Sequence, residues 1–353
     1  MDELYEKLRQ RLDDLATGFP STDDRIEIKI LKRLFNEEEA CFFMQLSSRP
    51  ESPDKVARRL NRDPEEVAAL LEAMAAKGLV FRLRKEDSTR YCAVPYIVGI
   101  YEFQVQRMDR EMAYDMDEYF EKALGRTLQS FKTPVMRTIP INRDIAVKWP
   151  IAPYEDALAI FENQEPIAIV PCICRTHMNR RDKGCGKPIE ACFMFGSHAR
   201  YYVDNGMGRY IDKEEAREIF KRNEKEGLVM QPFNSQKMGG MCSCCGDCCG
   251  MLRSLKKQPH PASAVQSNYF AAVDPEECIG CEICLERCQM EAIRMVDEKA
   301  VIDLDRCIGC GLCVTTCSGE ALHLERKSED QLYVPPKSGA ETYGLIARER
   351  GKG

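Results

Sequence analysis

No run of about 18 apolar residues occurs in this chain, so no membrane-spanning helix is expected. The opening residues, Met1-Asp2-Glu3-Leu4-Tyr5-Glu6-Lys7, are charged and lack the apolar centre of a signal peptide. Strong net charge is missing too: −6 over 353 residues argues against a general nucleic-acid binder. No flavin, nucleotide or phosphate-loop motif stands out, and the glycines of Asn205-Gly206-Met207-Gly208-Arg209 are too few to form one. Histidine is scarce. His177, His198, His260 and His323 are isolated, and a lone histidine is more often structural than a ligand; His177, between cysteines, is the best placed for a role. Cysteine itself is nearly absent before residue 172, where Cys41 and Cys92 read as small buried apolar side chains.

The other 17 of the 19 cysteines fall in three clumps beyond that point. Apolar and charged fractions of 44% and 31% are those of a soluble globular protein, and the length allows two or three domains. Many cysteines without an export signal read as metal ligands rather than as disulfides. Thiolates that ligate iron must stay reduced, so a cytoplasmic protein is expected, from an organism living with little oxygen.

The last clump is an internal repeat. Cys278, Cys281, Cys284 and Cys288 spell C-x2-C-x2-C-x3-C, and Cys307, Cys310, Cys313 and Cys317 repeat it 29 residues later. Gaps of two residues let consecutive thiolates wrap three corners of a small cube, and Gly280, Gly309 and Gly311 permit the tight loops this needs. The segment resembles a bacterial-type two-cluster ferredoxin. That resemblance implies two [4Fe-4S] clusters, one on Cys278, Cys281, Cys284 and Cys317, the other on Cys307, Cys310, Cys313 and Cys288. It also implies short helices at 289–293 and 318–322, each followed by a strand (294–296 and 323–325). The family's proline after each fourth cysteine is replaced by Gln289 and Ser318, which touches loop rigidity but not ligation. Zinc is the competing reading of C-x2-C pairs. Residues 276–326 carry eleven acidic against five basic side chains, a field suited to a basic redox partner.

The first clump, Cys172, Cys174, Cys185 and Cys192, has the number of ligands for one further [4Fe-4S] cluster or a zinc site. Arg175, His177, Arg180, Arg181, Lys183 and Lys187 lie among these cysteines. They suggest a cationic loop that raises a cluster's potential or receives an anion, against the plain alternative of an exposed basic loop. The second clump, Cys242, Cys244, Cys245, Cys248 and Cys249, exceeds what one cube takes, and its adjacent cysteines point to different sites. Its doubled Cys-Cys-Gly loosely resembles the motif that carries non-cubane clusters in heterodisulfide-reductase-type subunits, without that family's wider spacing. One or two further clusters are expected here, either two cubes with one cysteine free or one larger, non-cubane cluster.

Upstream, Leu4, Leu8, Leu12 and Leu15 form one face of a helix over 1–17. Asp23 is a candidate cap for a helix carrying Ile26, Ile30, Leu31 and Leu34; further helices are expected at 37–46, 54–60 and from Pro64 to Gly78. Two short strands, 79–84 and 90–94, flank the polar turn 85–89. Helices followed by a two-stranded wing resemble a winged-helix domain. The candidate recognition helix holds Glu65, Glu66 and Glu72 and only Lys77 as a base, which disfavours DNA. Met108, Met112, Met116, Phe120 and Leu124 recur at spacings of four in a predicted helix, 103–131, as a core stripe. An extended stretch follows at 134–153, then a helix at 154–163, a buried strand at 167–170, and a helix at 213–226 capped by Asp212.

The expected organisation is an α+β multidomain chain. Its parts are an N-terminal helix (1–22), a winged-helix-like domain (23–100), a helical connector (101–165), a cysteine-rich α/β middle domain (166–256), a linker (257–270), a ferredoxin-like two-cluster domain (271–326) and a polar tail (327–353). The expected function is relay of low-potential electrons to or from a larger redox enzyme or carrier protein, as a component of an oxidoreductase complex rather than a stand-alone enzyme. The alternatives are a reductase with its chemistry at an unusual middle cluster, and a redox-sensing winged-helix regulator. Catalytic residues are not identifiable, and homo- or hetero-oligomers are both compatible with the sequence.

Overall fold

Local capping signals set most of the N-terminal elements. The computed structural model describes residues 2–85, 88–141 and 152–352, so parts of the expected turn 85–89 and extended stretch 134–153 lie outside the described residues. Helix α1 (Asp2–Asp13) buries Tyr5, Leu8 and Leu12. Helix α2 (Ile26–Leu34) is not capped by Asp23: Arg25 occupies the cap in a left-handed conformation and the Thr22 hydroxyl accepts from the Ile26 N–H at 3.1 Å. Asn36 and Glu39 form a reciprocal capping box on α3 (Glu37–Phe43). Ser52 and Asp63 cap α4 (Pro53–Leu60) and α5 (Pro64–Ala76), each with proline in its first turn.

Strands β1 (Val80–Lys85) and β2 (Ser88–Ala93) pair antiparallel, Val80 opposite Ala93. The methionine stripe is broken differently from the expected single helix. Helix α6 (Arg110–Tyr119) widens into a π-type turn over Phe120–Leu124 and ends as α7 (Gly125–Gln129). Met108, Met112, Met116 and Leu124 are buried in the core they share with the N-terminal block.

Beyond α8 (Ala157–Glu162), a five-stranded antiparallel sheet frames the cysteines in the order β5-β3-β4-β7-β6. Its strands are β3 (Ile167–Pro171), β4 (Glu190–Phe195), β5 (Arg209–Ile211), β6 (Val229–Pro232) and β7 (Gly240–Cys244). Helices α9 (Ile173–Arg180), α10 (Gly196–Asp204), α11 (Lys213–Lys225) and α12 (Gly250–Lys256) complete this part. Asp212 caps α11 by accepting from Glu215 N–H at 2.8 Å.

The stretch 257–270 is folded rather than a free linker: Pro261–Ala264 form a 3-10 turn, and β8 (Tyr269–Val273) already belongs to the next sheet. There β8 pairs with β11 (Leu322–Arg326), and β9 (Ile293–Val296) pairs with β10 (Lys299–Ile302). The short helices precede each fourth cysteine instead of following it: α13 (Ile283–Arg287) and a 3-10 turn at Val314–Thr316. Glu291 and Glu320, both at positive φ, prevent helix directly after Cys288 and Cys317. The tail ends in α14 (Gly339–Glu349), whose neighbour Arg350 donates to the carbonyls of Asp13, Leu15 and Ala16 and so ties the two chain ends together.

Candidate metal centres

The C-terminal cysteines line two hollows. One is walled by Cys278, Cys281, Cys284 and Cys317, the other by Cys288, Cys307, Cys310 and Cys313. Strand starts aim amides at the sulfurs: Ala292 N–H at Cys288 Sγ (3.2 Å), Ala300 at Cys278 (3.4 Å) and Ala271 at Cys307 (3.4 Å). The Ala300 N–H, followed by that of Gly280, holds the Cys278 thiol below its ordinary value. Cys281 is exposed, whereas burial pushes Cys310 up to about 12. The pair of hollows therefore has one end at the surface and one in the interior.

The nine cysteines of the middle part separate into six and three. Thiol–thiol interactions link Cys172 to Cys174 and Cys192, Cys174 to Cys249, Cys249 to Cys244, Cys244 to Cys242, and Cys242 back to Cys192. That is a closed ring. Each of the six thiols is shifted chiefly by its two neighbours around the ring. Two C-x-C pairs build the ring, one at the β3–α9 junction and one on β7, where alternate residues share a face.

Cys185, Cys245 and Cys248 form the second group, with all three sulfurs within 4.8 Å of one another and Cys185 to Cys245 at 3.7 Å. Among the described residues no other three cysteine, histidine or carboxylate ligand atoms are so close. The ring is thus open at its centre.

Arg175 stands between the two groups. It is 1% exposed, and its Nη1 donates to Ser243 O at 3.0 Å and reaches Cys245 Sγ at 3.8 Å. Among the described residues its Nε and Nη2 have no hydrogen-bond partner. Burial works against its charge, yet the thiolates of Cys172, Cys192 and Cys245 outweigh burial and hold the guanidinium above its ordinary value. A buried cation with no carboxylate needs anions nearby. The sulfurs are the anions at hand, so the donor set fits an anionic thiolate-bound metal centre.

Four of the other basic residues of this region have partners within the protein, while Lys183 is exposed. His177 shares a hydrogen bond with Tyr101 Oη (2.9 Å), Arg180 donates to Met108 O (3.0 Å), Arg181 pairs with Asp117, and Lys187 donates to Glu226 O (2.5 Å). Burial pushes His177 down to about 4, against the pull of Asp117.

The ring opens onto a cavity walled mostly by apolar side chains, with Tyr101, Glu102, Asp117, His177, Tyr202 and Arg253 also lining it. Glu102 accepts from Gly99 N–H at 2.7 Å, while burial pushes its carboxyl up to about 8. Neither Arg175's burial nor Glu102 was signalled by sequence, since both sit in segments read for their neighbours. The C-x-C spacing of 172/174 and 242/244 was the available signal for the ring.

The family model described as a 4Fe-4S dicluster domain matches residues 277–326. No curated protein and no solved structure matches the chain. The chain therefore carries a ferredoxin-type domain that binds [4Fe-4S] near its C-terminus, within a mixed α+β fold. Together with the cysteine groups upstream, this supports an iron–sulfur electron-transfer role. Among the described residues no helix is long and apolar enough to cross a membrane.

Proposed function

We propose that the chain relays low-potential electrons between an exposed ferredoxin-type end and a buried thiolate centre, as a partner of a larger redox enzyme or carrier. Cys278, Cys281, Cys284 and Cys317 would hold one [4Fe-4S] cluster, and Cys307, Cys310, Cys313 and Cys288 the other. The ring of Cys172, Cys174, Cys192, Cys242, Cys244 and Cys249 would hold a further polynuclear cluster. Bound clusters supply one-electron storage without obligatory proton chemistry.

The observation that carries this reading is continuity. Cys244, Cys245, Cys248 and Cys249 share one apolar core with Met290, Ile308 and Leu312 of the ferredoxin-type domain, with Cys288, Cys307 and Cys310 packed against it. The seam is tight: Gly246 N–H donates to Gln289 Oε1 at 2.7 Å. Two redox modules that merely shared a chain would not need such a seam.

The winged-helix-like block, 23–100, serves in this reading as a docking and support module. Its wing faces inward: Arg82 and Arg84 pair with Glu72 and with Asp204 of α10, and Tyr201 Oη donates to Ala75 O (3.0 Å) and Val80 O (2.9 Å). Those arginines are spent on protein, which disfavours the regulator. A reductase reading is favoured by one observation, the cavity that brings Tyr101, Glu102 and Tyr202 beside the ring. A small molecule that alters the paramagnetic spectrum of the reduced middle centre would select it.

Anaerobic purification with iron and acid-labile sulfide counting tests the relay. About 12 irons per chain are expected for two cubes and a ring cluster of four or so irons. Cys281→Ala should lower that count by up to about four while the middle centre's signal persists. Colourless, sulfide-free protein would end the proposal.

A further inference from the structure

We propose that Cys185, Cys245 and Cys248 form a separate mononuclear site for a divalent ion of the zinc class, held by three thiolates with the fourth position left to an exogenous donor such as water. The assignment rests on the reading that the middle thiols bind metal, and sets this trio apart from the iron centres.

Spacing carries the argument. A tetrahedral ion with metal–sulfur bonds of about 2.3 Å places its sulfurs about 3.8 Å apart. Cys185 and Cys245 are 3.7 Å apart, and all three sulfurs lie within 4.8 Å. The ferredoxin-type quartets give an internal ruler. They belong to a domain that binds cubes, and no three of their sulfurs approach within 4.8 Å. The ring is likewise too open for a single ion. Only the trio is gathered at single-ion distance among the described residues.

Local structure holds it there. Cys245 and Cys248 occupy one turn, closed by Cys249 N–H on Cys245 O at 3.2 Å, and this C-x2-C spacing suits zinc. Cys185 arrives from the loop after α9, which turns at Gly186 with φ of 72°. Charge agrees as well. Three thiolates on a divalent ion leave one net negative charge, and the Arg175 guanidinium lies 3.8 Å from Cys245 Sγ with Nε and Nη2 otherwise unpartnered. No fourth ligand-type side chain joins the group among the described residues, so the last position is open.

The test is metal analysis and zinc-edge X-ray absorption on the full chain, purified anaerobically. The expected result is one zinc per chain with three sulfurs at about 2.3 Å and one lighter donor. Cys248→Ala should remove the zinc and leave iron content unchanged. Wild-type protein without zinc, zinc with four sulfurs, or a variant that loses iron instead would each overturn the assignment. Cys192→Ala separates the two readings: it should cost iron and spare zinc. If no ring variant costs iron while the zinc result holds, the ring cluster fails and the mononuclear site stands.

Discussion

Arg175 shows how one side chain can report on atoms around it. Its guanidinium is buried, bonded to a single carbonyl, and flanked by sulfur on two sides. A cation so placed favours the more negative, reduced form of an adjacent centre. Arg175→Met keeps the volume and removes the charge. The midpoint potential of the middle centre should then fall by on the order of 50–100 mV, taking an effective dielectric near 20. Potentiometric titration followed by paramagnetic resonance measures it; an unchanged potential would mean the charge is balanced elsewhere. Glu102 behaves in the opposite sense. Burial raises its carboxyl from the ordinary 4.5 to about 8, so the folded chain keeps a proton that the unfolded chain gives up. Its stabilising contribution is full below 4.5 and is lost as pH rises through 8. Denaturant titrations at several pH values should show wild type losing stability relative to Glu102→Gln across that window. Parallel curves would refute the shift.

At the level of elements, the seam between β7–α12 and the ferredoxin-type domain is built for glycine. A Cβ on Gly246 would sit 2.5 Å from the Gln289 carbonyl oxygen, which is backbone and cannot rotate away. Gly246→Ala should destabilise the chain by about 1–3 kcal/mol. It should also weaken magnetic coupling between the ferredoxin-type and middle centres, which the reduced spectrum would reveal; a wild-type melting curve and spectrum would show that the seam is slack. Elements with short-range causes were legible in the sequence: the Asp212 cap, the Pro64 helix start, the β1–β2 hairpin and the ferredoxin repeat all depend on residues within a few positions. Elements decided by tertiary contacts were not. Arg25 displaced Asp23 as the cap of α2, and the Ile26 N–H is taken by the Thr22 hydroxyl, which itself donates to Glu27. The helices moved ahead of Cys288 and Cys317 because Ala292 N–H turns to sulfur and Glu291 leaves helical geometry. That adjacent cysteines serve different sites was legible, but which of them join the ring and which the trio was not. Neighbours such as Cys244 and Cys245 diverge only where β7 ends, and sequence alone does not place that end.

Across the whole molecule, charge and burial run in one direction. The ring lies in the interior beneath the N-terminal block, which is itself closed by α14 and by the Arg350 bonds to the end of α1. The opposite end carries exposed Cys281, flanked by Ile279 at 67% and Ile283 at 43% exposure, amid the acidic excess of residues 276–326. An apolar tip in a negative field suits transient docking of a positively charged redox partner. If electrons enter or leave there, small one-electron acceptors should discriminate by charge. Reduced protein should transfer electrons faster to a cationic acceptor than to an anionic one of matched potential at about 10 mM ionic strength, where screening reaches about 30 Å. The preference should shrink at about 150 mM, where it reaches about 8 Å. Charge reversal at Glu282 and Glu286, which neighbour Cys281 and Cys284, should shrink the preference at low salt while leaving iron content intact. Stopped-flow rates that ignore acceptor charge at both ionic strengths would move the entry point away from this end, toward the cavity beside the ring.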